Sequence, residues 1–352
     1  MKPLGICESI LTKKRKNFGL DMNIRPFLDE HNIPYIDFDG YAYDVIERMD
    51  DISGLYWWYS HYGFSDKAEA QHILDIAESK GLRVYPDHNT AWHFDDKIAE
   101  MYAFQNVHAQ IPKSWVFYRR EDCDRWLDEH AEYPLVAKLR NGSGSNNVRL
   151  LKTKEQAHAY CKRMFSSGYK SAPSIAYKTF SKVQSTKDWK TLVHRFKQIP
   201  NFFKARKMAK SLGIEKEYCY FQEFVPNDGF DMKIAVVNNK LGFLVRHVRK
   251  GDFRASGGGD IYYDRNLITK EIIDEAFRVA DELKTQCVGF DYVVDSRTGK
   301  GLIVEMCHGF DHEAIYNAGG YFDRDGIWHE EPLHCGYETI KVMYSEFFEG
   351  KK

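Results

Sequence analysis

Two acidic residues near the end of the chain have the spacing expected of a metal site. Asp291 lies in VGFDYVV and Glu305 in GLIVEM, with the turn-forming residues DSRTGK between them. A regular hairpin centred on Thr298 would place the two carboxylates directly opposite each other, about 5 Å apart at Cβ, where like charges repel. Their sequence neighbours are uncharged, so a divalent cation with hard oxygen ligands would offset the repulsion. A solvated strand face that tolerates the repulsion is the alternative, and a register change of one residue would separate the pair.

A lysine at the end of an apolar strand, together with the flexible loop after it, is a second feature. Lys138 ends the run PLVAK, and the loop NGSGSNN begins at Asn141. Small residues let backbone N–H groups approach phosphate oxygens, while the lysine supplies a positive charge. The alternative, without a binding role, is a Gly-Ser turn between two strands. The segment matches neither the P-loop nor the dinucleotide-binding fingerprint.

Two further segments combine charged residues with flexible ones. RHVRKGDFRASGGGD, from Arg246 to Asp260, places arginines beside a triple glycine, and arginine binds phosphate or carboxylate in bidentate fashion. It could equally be a flexible surface loop. In QEFVPNDGFDMK, from Gln222, strand alternation puts Asp231 and Lys233 on one face. This segment could hold a base and a ribose, or it could be a bent sheet edge.

These segments need strands and turns to position them. Over residues 1–86 short apolar runs alternate with helical periodicity, which predicts a small α/β unit. From Trp115 onward, strands joined by tight polar turns predict an α+β arrangement. Residues 169–217 break this rhythm and look inserted: Lys and Arg outnumber Asp and Glu there by 12 to 3, with aromatic residues between the charges.

Composition limits the possible functions. The formal net charge is −1, so no global field directs the chain to nucleic acid or to an anionic membrane. No apolar run approaches the roughly 18 residues of a membrane-spanning helix, and the N-terminal residues do not resemble a secretory signal. Seven cysteines without CxxC spacing suit a reducing compartment. We therefore expect a soluble, cytoplasmic protein.

Taken together and in this order, the four segments resemble the ATP-grasp superfamily, most closely its branch of ribosomal-protein glutamate ligases. The resemblance covers about residues 85–315 and includes HFDDKIAEMYAFQNVHAQIP ahead of the first strand of the nucleotide site. It implies an N-terminal α/β (pre-ATP-grasp) domain, residues 1–90, followed by a two-subdomain ATP-grasp fold with antiparallel sheets. The subdomains would be residues 91–222, with the basic insert 169–217, and residues 223–352, with the metal site.

The resemblance also implies roles for individual residues. The residues expected at the ATP phosphates are Lys97 and Lys138, with the loop residues Gly142, Ser143, Gly144 and Ser145 closing over them. Those expected at the nucleoside are Glu223, Phe224 and Val225 at the adenine, Asp231 at the ribose, and Lys233 beside it. Those expected at the γ-phosphate and an acyl phosphate are Arg254 and Ser256, with Arg246 or Arg249 as a second cation. Asp291 and Glu305 would hold Mg²⁺.

The sequence departs from the family at one position. The family usually has Glu-x-Asn at the metal, whereas this chain has Glu305-Met306-Cys307. A thiol is a poor Mg²⁺ ligand, so one coordination position would pass to water, to Asp311 or to substrate, and a second Mg²⁺ ion is open. A softer metal on Cys307, His308 and His312 is an alternative. We favour ordinary loop residues, because structural zinc usually has a fourth clear ligand.

The resemblance implies an ATP-dependent carboxylate–amine ligase that forms an amide through an acyl phosphate. The expected ligands are ATP, Mg²⁺, a carboxylate substrate and an amine acceptor. The insert could bind an anionic polymer, such as an acidic glycan or an acidic peptide, although a nucleic-acid surface would look similar and a solvated cover over the site is as plausible. An ATP-grasp kinase and a nucleotide-binding scaffold without turnover are the competing functions. The oligomeric state is open.

Overall fold

The computed structural model describes residues 2–8, 24–59, 64–142, 147–170, 213–247 and 260–349. Within these ranges the strands form three larger sheets and one two-stranded pair. The first sheet is parallel and the other two larger sheets are antiparallel. The predicted combination of an N-terminal α/β unit with antiparallel sheets after it is therefore confirmed.

The first sheet is built from apolar runs that alternate with helices. Its strand order is β2-β1-β3-β4, from β1 (Leu4–Glu8), β2 (Tyr35–Asp37), β3 (Gly54–Trp58) and β4 (Arg83–Tyr85). Parallel neighbours require crossover connections, which helices supply. The helices of this part are α1 (Arg25–Glu30), α2 (Val45–Arg48), α3 (Phe64–Ser79) and α4 (His88–Ala91), with a short 3₁₀ turn at Met49–Asp51.

The second sheet carries the predicted phosphate lysine. Its order is β5-β10-β6-β7, from β5 (Ser114–Phe117), β6 (Leu135–Lys138), β7 (Val148–Leu151) and β10 (Cys219–Glu223). The helices nearby are α5 (Lys97–Asn106), α6 (Arg120–Glu129) and α7 (Lys154–Met164). Helix α5 contributes Ile98 and Met101 to the core of this sheet, and Phe104 to the core of the third sheet. It therefore joins the two sheets.

The basic insert leaves and rejoins the fold at one place. Its first described residues form β8 (Tyr169–Lys170) and its last form β9 (Ile214–Glu215), and these strands pair antiparallel. The two described ends of the insert are therefore neighbours in the fold. Residues 171–212 lie outside the described residues.

The third sheet holds the two predicted metal-binding acids. Its order is β15-β14-β11-β12-β16-β17, with β13 paired to β12. The strands are β11 (Phe230–Val237), β12 (Lys240–His247), β13 (Ile261–Tyr262), β14 (Cys287–Val294), β15 (Gly301–Cys307), β16 (Tyr321–Phe322) and β17 (Trp328–His329). The remaining helices are α8 (Lys270–Leu283), α9 (His312–Tyr316), α10 (Cys335–Met343) and α11 (Ser345–Glu349), with a 3₁₀ turn at Arg265–Leu267.

Local sequence explains two features of this sheet. Asn238 and Asn239 both have positive φ, 46° and 61°, which the two-residue turn between β11 and β12 requires and asparagine tolerates. Helix α8 buries Ile273, Ala276, Phe277 and Ala280 against the sheet. The helix ends at Leu283, because Lys284 takes a left-handed conformation.

The first and third sheets share a hydrophobic core. Leu4 and Ile6 of β1 pack in one cluster with Ala235, Val237 and the helices that follow β15. The second sheet has its own core with α6 and α7. The end of β15, where Glu305 lies, is therefore held close to the N-terminal sheet.

Candidate functional site

The predicted pairing of Asp291 with Glu305 is confirmed, although the hairpin is not regular. On the turn side Val293 lies opposite Leu302 and Tyr292 opposite Ile303, one residue away from the register expected for a centre at Thr298. A β-bulge then restores the opposition of Asp291 and Glu305. The residue that the bulge inserts is Val304, and its carbonyl oxygen accepts a hydrogen bond from Lys138 Nζ at 3.4 Å.

The expectation that no cation compensates these acids is wrong. Lys233 Nζ lies 2.7 Å from Asp291 Oδ1, Arg246 Nη2 lies 2.9 Å from the same oxygen, and Lys97 Nζ lies 3.6 Å from Glu305 Oε1. These cations come from β11, β12 and α5, which are remote in sequence from the hairpin. Inspection of the sequence neighbours could not reveal them. The repulsion therefore does not by itself require a metal ion.

One row of charges crosses the third sheet on a single face. Asp231 lies opposite Arg246, Lys233 opposite Asp291, and Asp291 opposite Glu305. Directly opposed residues share a face, and so do residues two apart on one strand. We call Asp231, Lys233, Arg246 and Asp291 the Asp291 cluster.

The Asp291 cluster is nearly sealed from solvent. Arg246 donates from Nε to Asp231 Oδ1 at 3.1 Å and from Nη2 to the other oxygen of the same carboxylate. Burial would raise the pKa of Asp291, but Lys233 and Arg246 hold it below its ordinary value. Burial, with the charge of Asp291, raises the pKa of Asp231 to about 6 against the opposing effect of Arg246. Asp231 is 1 % exposed, and its predicted contact with a ribose stays a prediction.

A second group of charges lies where α5 and the second sheet meet β15. We call Lys97, Glu100, Lys138 and Glu305 the Glu305 cluster. Lys97 follows the N-cap Asp96, whose side chain accepts from the backbone N–H groups of the first turn of α5. Lys97 Nζ donates to the Gly142 carbonyl at 2.6 Å. Burial lowers the pKa of Lys97, but Glu305 and Glu100 more than offset this and leave it above its ordinary value.

The pKa of Lys138 is shifted downward, unlike that of Lys97, because nearby carboxylates offset the effect of its burial less. Burial lowers its pKa to about 8, with the charge of Lys97 acting in the same direction and Glu305 opposing. The ammonium at the end of β6 is 7 % exposed, and its hydrogen bond goes to the neutral Val304 carbonyl. An anionic ligand beside it would favour its protonated form.

Glu100 is a site residue that the sequence analysis missed. Its Oε2 accepts a hydrogen bond from the backbone N–H of Met306 at 3.2 Å, and burial together with the charge of Glu305 raises its pKa to about 8. A signal was present, since Glu100 lies one turn after Lys97 on the face of α5 that carries Met101 and Phe104. A carboxylate on an apolar helix face indicates a buried partner.

The phosphate loop is described only at its two ends. Gly142 has φ of 114°, a Cβ there would lie 2.3 Å from Asn147 Nδ2, and its N–H donates to Asp95 Oδ1 at 2.9 Å. Glycine is therefore needed at this position. Ser143, Gly144 and Ser145 lie outside the described residues, as do Arg249, Arg254 and Ser256 of the arginine-rich segment.

The predicted nucleoside residues lie at the end of β10. Glu223 ends that strand and Val225 is buried two residues later, with Phe224 half-buried between them. Beside them a narrow pocket between α5, β10 and β15 is lined by residues of both sheets, among them Lys97, Glu100, Tyr220, Gln222 and Val304.

The soft-metal alternative is not formed. Among the described residues, Cys307, His308 and His312 do not bring three ligand atoms within 4.8 Å of one another. Cys307 Sγ instead lies 3.8 Å from Lys233 Nζ, and burial raises the pKa of its thiol to about 12. Asp311, considered as a substitute ligand, caps helix α9 by accepting from the Ala314 N–H at 3.1 Å.

None of the seven cysteines forms a disulfide. In the part of the chain that the structure describes, no helix is both long and apolar enough to cross a membrane.

Comparisons by sequence find no matching protein-family profile and no matching curated protein. Comparison with solved structures does find matches. A RimK-domain ATP-grasp protein from Sphaerobacter thermophilus aligns with a TM-score of 0.52 at 14 % identity, over 97 % of this chain and 98 % of that one. The ATP-grasp ligase PsnB, complexed with minimal precursor, aligns with a TM-score of 0.56 at 12 % identity, over 97 % and 99 %.

A third solved structure agrees with these two. The D-alanine–D-alanine ligase of Bacillus anthracis, complexed with ATP, aligns with a TM-score of 0.54 at 12 % identity, over 98 % of each chain. Because the alignments span nearly the whole of every chain, they concern the complete architecture. The chain has the ATP-grasp fold, as its sequence motifs predicted.

Proposed function

We propose that this chain, with its ATP-grasp fold, is an ATP-dependent ligase that joins a carboxylate to an amine through an acyl phosphate. The observation that carries the proposal is the Glu305 cluster, in which Lys97 and Lys138 lie beside Glu305 at the junction of the second and third sheets. Buried ammonium groups next to carboxylates, in a cleft between two sheets, are suited to a triphosphate and its counter-ion.

The donor set fits Mg²⁺. Asp291 and Glu305 present hard carboxylate oxygens on one sheet face, which is the ligand type that Mg²⁺ prefers. Cys307 would not join them, because a thiol is a poor ligand for an ion that prefers hard oxygen donors. Asp291 and Glu305 would therefore hold the ion, with water or substrate completing its ligands. When bound, Mg²⁺ would neutralise charge on the phosphates.

The chain's own residues would supply position and charge. A carboxylate oxygen of the substrate attacks the γ-phosphorus, the bond from that phosphorus to the β-phosphate oxygen breaks, and ADP leaves. The amine nitrogen then attacks the acyl carbon, phosphate leaves, and the amine proton passes to solvent or phosphate. Lys97 and Lys138 would orient the phosphates and offset the charge that develops on the transferring group. This scheme requires no covalent enzyme intermediate.

A trapping experiment tests the proposal. The protein is incubated with ATP, Mg²⁺ and a panel of amino acids and acidic peptides, with hydroxylamine replacing the amine. A ligase releases ADP and yields a hydroxamate, because hydroxylamine captures an acyl phosphate. A kinase yields a stable phosphorylated product without hydroxamate, and a scaffold releases no ADP with any carboxylate. Either of the last two results would reject the ligase assignment.

We further propose that the acceptor is anionic, with an acidic glycan or acidic peptide as the substrate class. The support is the local charge excess of residues 169–217, most of which lie outside the described residues. Replacing Lys204, Arg206, Lys207 and Lys210 with Glu should raise the KM for the acceptor at least tenfold while the KM for ATP stays near normal. Replacing them with Gln should give a smaller rise. An unchanged acceptor KM would reject this role.

The proposal also gives each of the three units of the chain a role in binding. Residues 91–222 and 223–352 would enclose ATP between the second and third sheets, and residues 1–90 would form part of the acceptor cleft. Seven cysteines that form no disulfide support a reducing compartment such as the cytoplasm.

A further inference from the structure

Three cysteines meet in the core of the second sheet's unit, away from the proposed active site. Cys123 lies on α6, Cys161 on α7 and Cys219 at the start of β10. Their Sγ atoms all lie within 4.8 Å of one another. Among the described residues this is the only group of three Cys, His, Asp or Glu side chains whose ligand atoms come so close together.

The three thiols are enclosed by apolar side chains. Each cysteine has no exposed surface, and all three belong to the hydrophobic cluster that packs α6 and α7 on the second sheet. None forms a disulfide. A single buried cysteine is a small apolar residue that needs no explanation. Three sulfur atoms from three separate elements within 4.8 Å of one another are a group that could hold a metal ion.

The spacing fits coordination. An ion bound at about 2.3 Å from each thiolate places three sulfurs about 4 Å apart around it. The observed separations are within 4.8 Å, so small side-chain rotations would bring all three to bonding distance. No backbone change is needed, because χ1 rotation alone moves a cysteine sulfur by this amount.

Coordination requires the thiols to lose their protons. The thiolate is the metal-binding form of cysteine. On coordination a metal–sulfur bond would form at each ligand, and each proton displaced from a thiol would pass to the buffer.

A polar pair on the surface lies beside the three thiols. Asp124 follows Cys123 on α6, and its carboxylate is 2.9 Å from His158 Nδ1 and 3.2 Å from Arg120 Nε. These partners occupy the carboxylate, so the donor set is three sulfurs. The Asp124 side chain is about one-third exposed, which puts solvent within one side chain of the buried sulfurs.

We propose that Cys123, Cys161 and Cys219 form a three-coordinate binding site for a thiophilic metal ion. All-sulfur donors select soft ions over Mg²⁺, and three sulfurs suit Cu⁺ better than Zn²⁺, which usually has a fourth ligand in structural sites. The bound ion would fasten α6 and α7 to β10, the strand whose Tyr220 lies opposite Lys138. The site is independent of the proposed ligase activity, and its failure would leave that proposal untouched.

Metal titration of the full chain tests the site. The reduced protein is titrated without oxygen against a chromophoric chelator, with Cu⁺ in one arm and Zn²⁺ in the other. We expect one equivalent of at least one ion to bind, with a rise in the thermal midpoint and about three sulfur neighbours near 2.3 Å by X-ray absorption. The two arms identify which ion is preferred.

Serine variants decide whether these cysteines are responsible. Cys161→Ser and Cys219→Ser should each lower the affinity at least a hundredfold, whereas Cys335→Ser, an equally buried cysteine outside the group, should not. Should a variant fold poorly, Cys123→Ser supplies a third independent change. The proposal is overturned when neither ion binds the wild-type chain, or when the equivalent persists in folded variants of the group.

Discussion

The two charge clusters of the candidate site are built from the same kinds of residue and are held very differently. In the Asp291 cluster one carboxylate oxygen is contacted by two cations, at 2.7 and 2.9 Å, and the Asp291 side chain is 8 % exposed. In the Glu305 cluster the closest cation is 3.6 Å from Glu305, whose side chain is 25 % exposed. Only the second cluster keeps a carboxylate open to solvent.

This difference separates a carboxylate that already has tight cationic partners from one that is open to a ligand. Tight ion pairs in a buried site satisfy one another, so Mg²⁺ at Asp291 would take the place of a cation contact, and loss of one partner leaves unpaired charge in the core. Lys138 and Glu100, by contrast, both have a pKa of about 8, because neither has a charge partner that fully offsets its burial. Perturbed groups of this kind are typical of sites that await a charged ligand.

The strongest test of the comparison removes the cation that joins the two aspartates. Arg246→Met should lower the free energy of unfolding by about 3–5 kcal/mol, since it leaves Asp231 and Asp291 buried with one cation between them. Urea denaturation followed by circular dichroism measures the change. The matched control is Arg119→Met, which removes an exposed ion pair with Asp122 and should cost less than about 1 kcal/mol. Equal losses in the two variants would contradict the structural role of the Asp291 cluster.

Loss of a carboxylate from the Glu305 cluster should lower activity and leave stability nearly unchanged. Glu305→Gln should reduce ADP release by about 10²–10³-fold in the hydroxylamine assay, because a carboxylate at the phosphates is lost. Its free energy of unfolding should change by less than about 1 kcal/mol, as expected for a partly exposed ion pair. Glu313→Gln, an exposed glutamate in the first turn of α9, is the control and should alter neither quantity. If Glu305→Gln lost much stability but kept its turnover, the Glu305 cluster would be structural, contrary to this prediction.

The pH dependence of nucleotide affinity tests the pKa of Lys138. An anion favours the protonated lysine, so binding raises its pKa above the free value of about 8. Affinity for ATP, measured by calorimetry in EDTA, should therefore be constant below pH 8 and then fall, by at most about tenfold per pH unit. Ionisation of Glu100 should also weaken ATP binding as the pH rises, because it adds negative charge beside the phosphates.

Two variants separate these contributions. Lys138→Arg keeps the charge at all pH values and should flatten most of the profile, and Glu100→Gln should remove the remainder. Affinity that rises with pH, or a Lys138→Arg profile like that of the wild type, would show that the buried lysine does not titrate near pH 8.

The smallest expected effect concerns Gly142, whose carbonyl oxygen accepts a hydrogen bond from Lys97. Gly142→Ala combines a positive φ with a contact of 2.3 Å to Asn147, and should cost about 1–3 kcal/mol of stability and weaken ATP binding. Gly299→Ala is the control, since φ there is 72° and a Cβ would meet no atom within 4 Å. It should cost about 1 kcal/mol and leave ATP binding unchanged. Identical ATP affinities in the two variants would exclude a role for Gly142 in the Glu305 cluster.

Much of the site could be predicted from the sequence, because its residues lie in short segments of unusual composition. Lys138 at a strand end, Asp231 and Lys233 on one strand face, and the hairpin acids were found from local pattern. Glu100 and the cations around Asp291 were not, because these contacts join elements that are far apart in sequence. The bulge at Val304 also escaped prediction, since nothing in GLIVEM distinguishes a bulged strand from a regular one.

The fold was predictable for a similar reason. Apolar periodicity and polar turns indicated the N-terminal α/β unit and the strands after Trp115, and the ordered motifs indicated the ATP-grasp architecture. The order of strands within each sheet was not accessible, because pairing depends on contacts between distant segments. The convergence of Cys123, Cys161 and Cys219 is of this kind, since 38 and 58 residues separate successive members.

The sequence alone determined which chemical groups this protein has and which strands carry them, because periodicity and turn residues act over a few neighbouring positions. The tertiary structure decided which charges neutralise one another. It gave Asp291 two tight cationic partners, whereas among the described residues the closest cation to Glu305 is Lys97 at 3.6 Å. Electrostatic energy depends on distance in space and on burial, and neither quantity can be read from position along the chain.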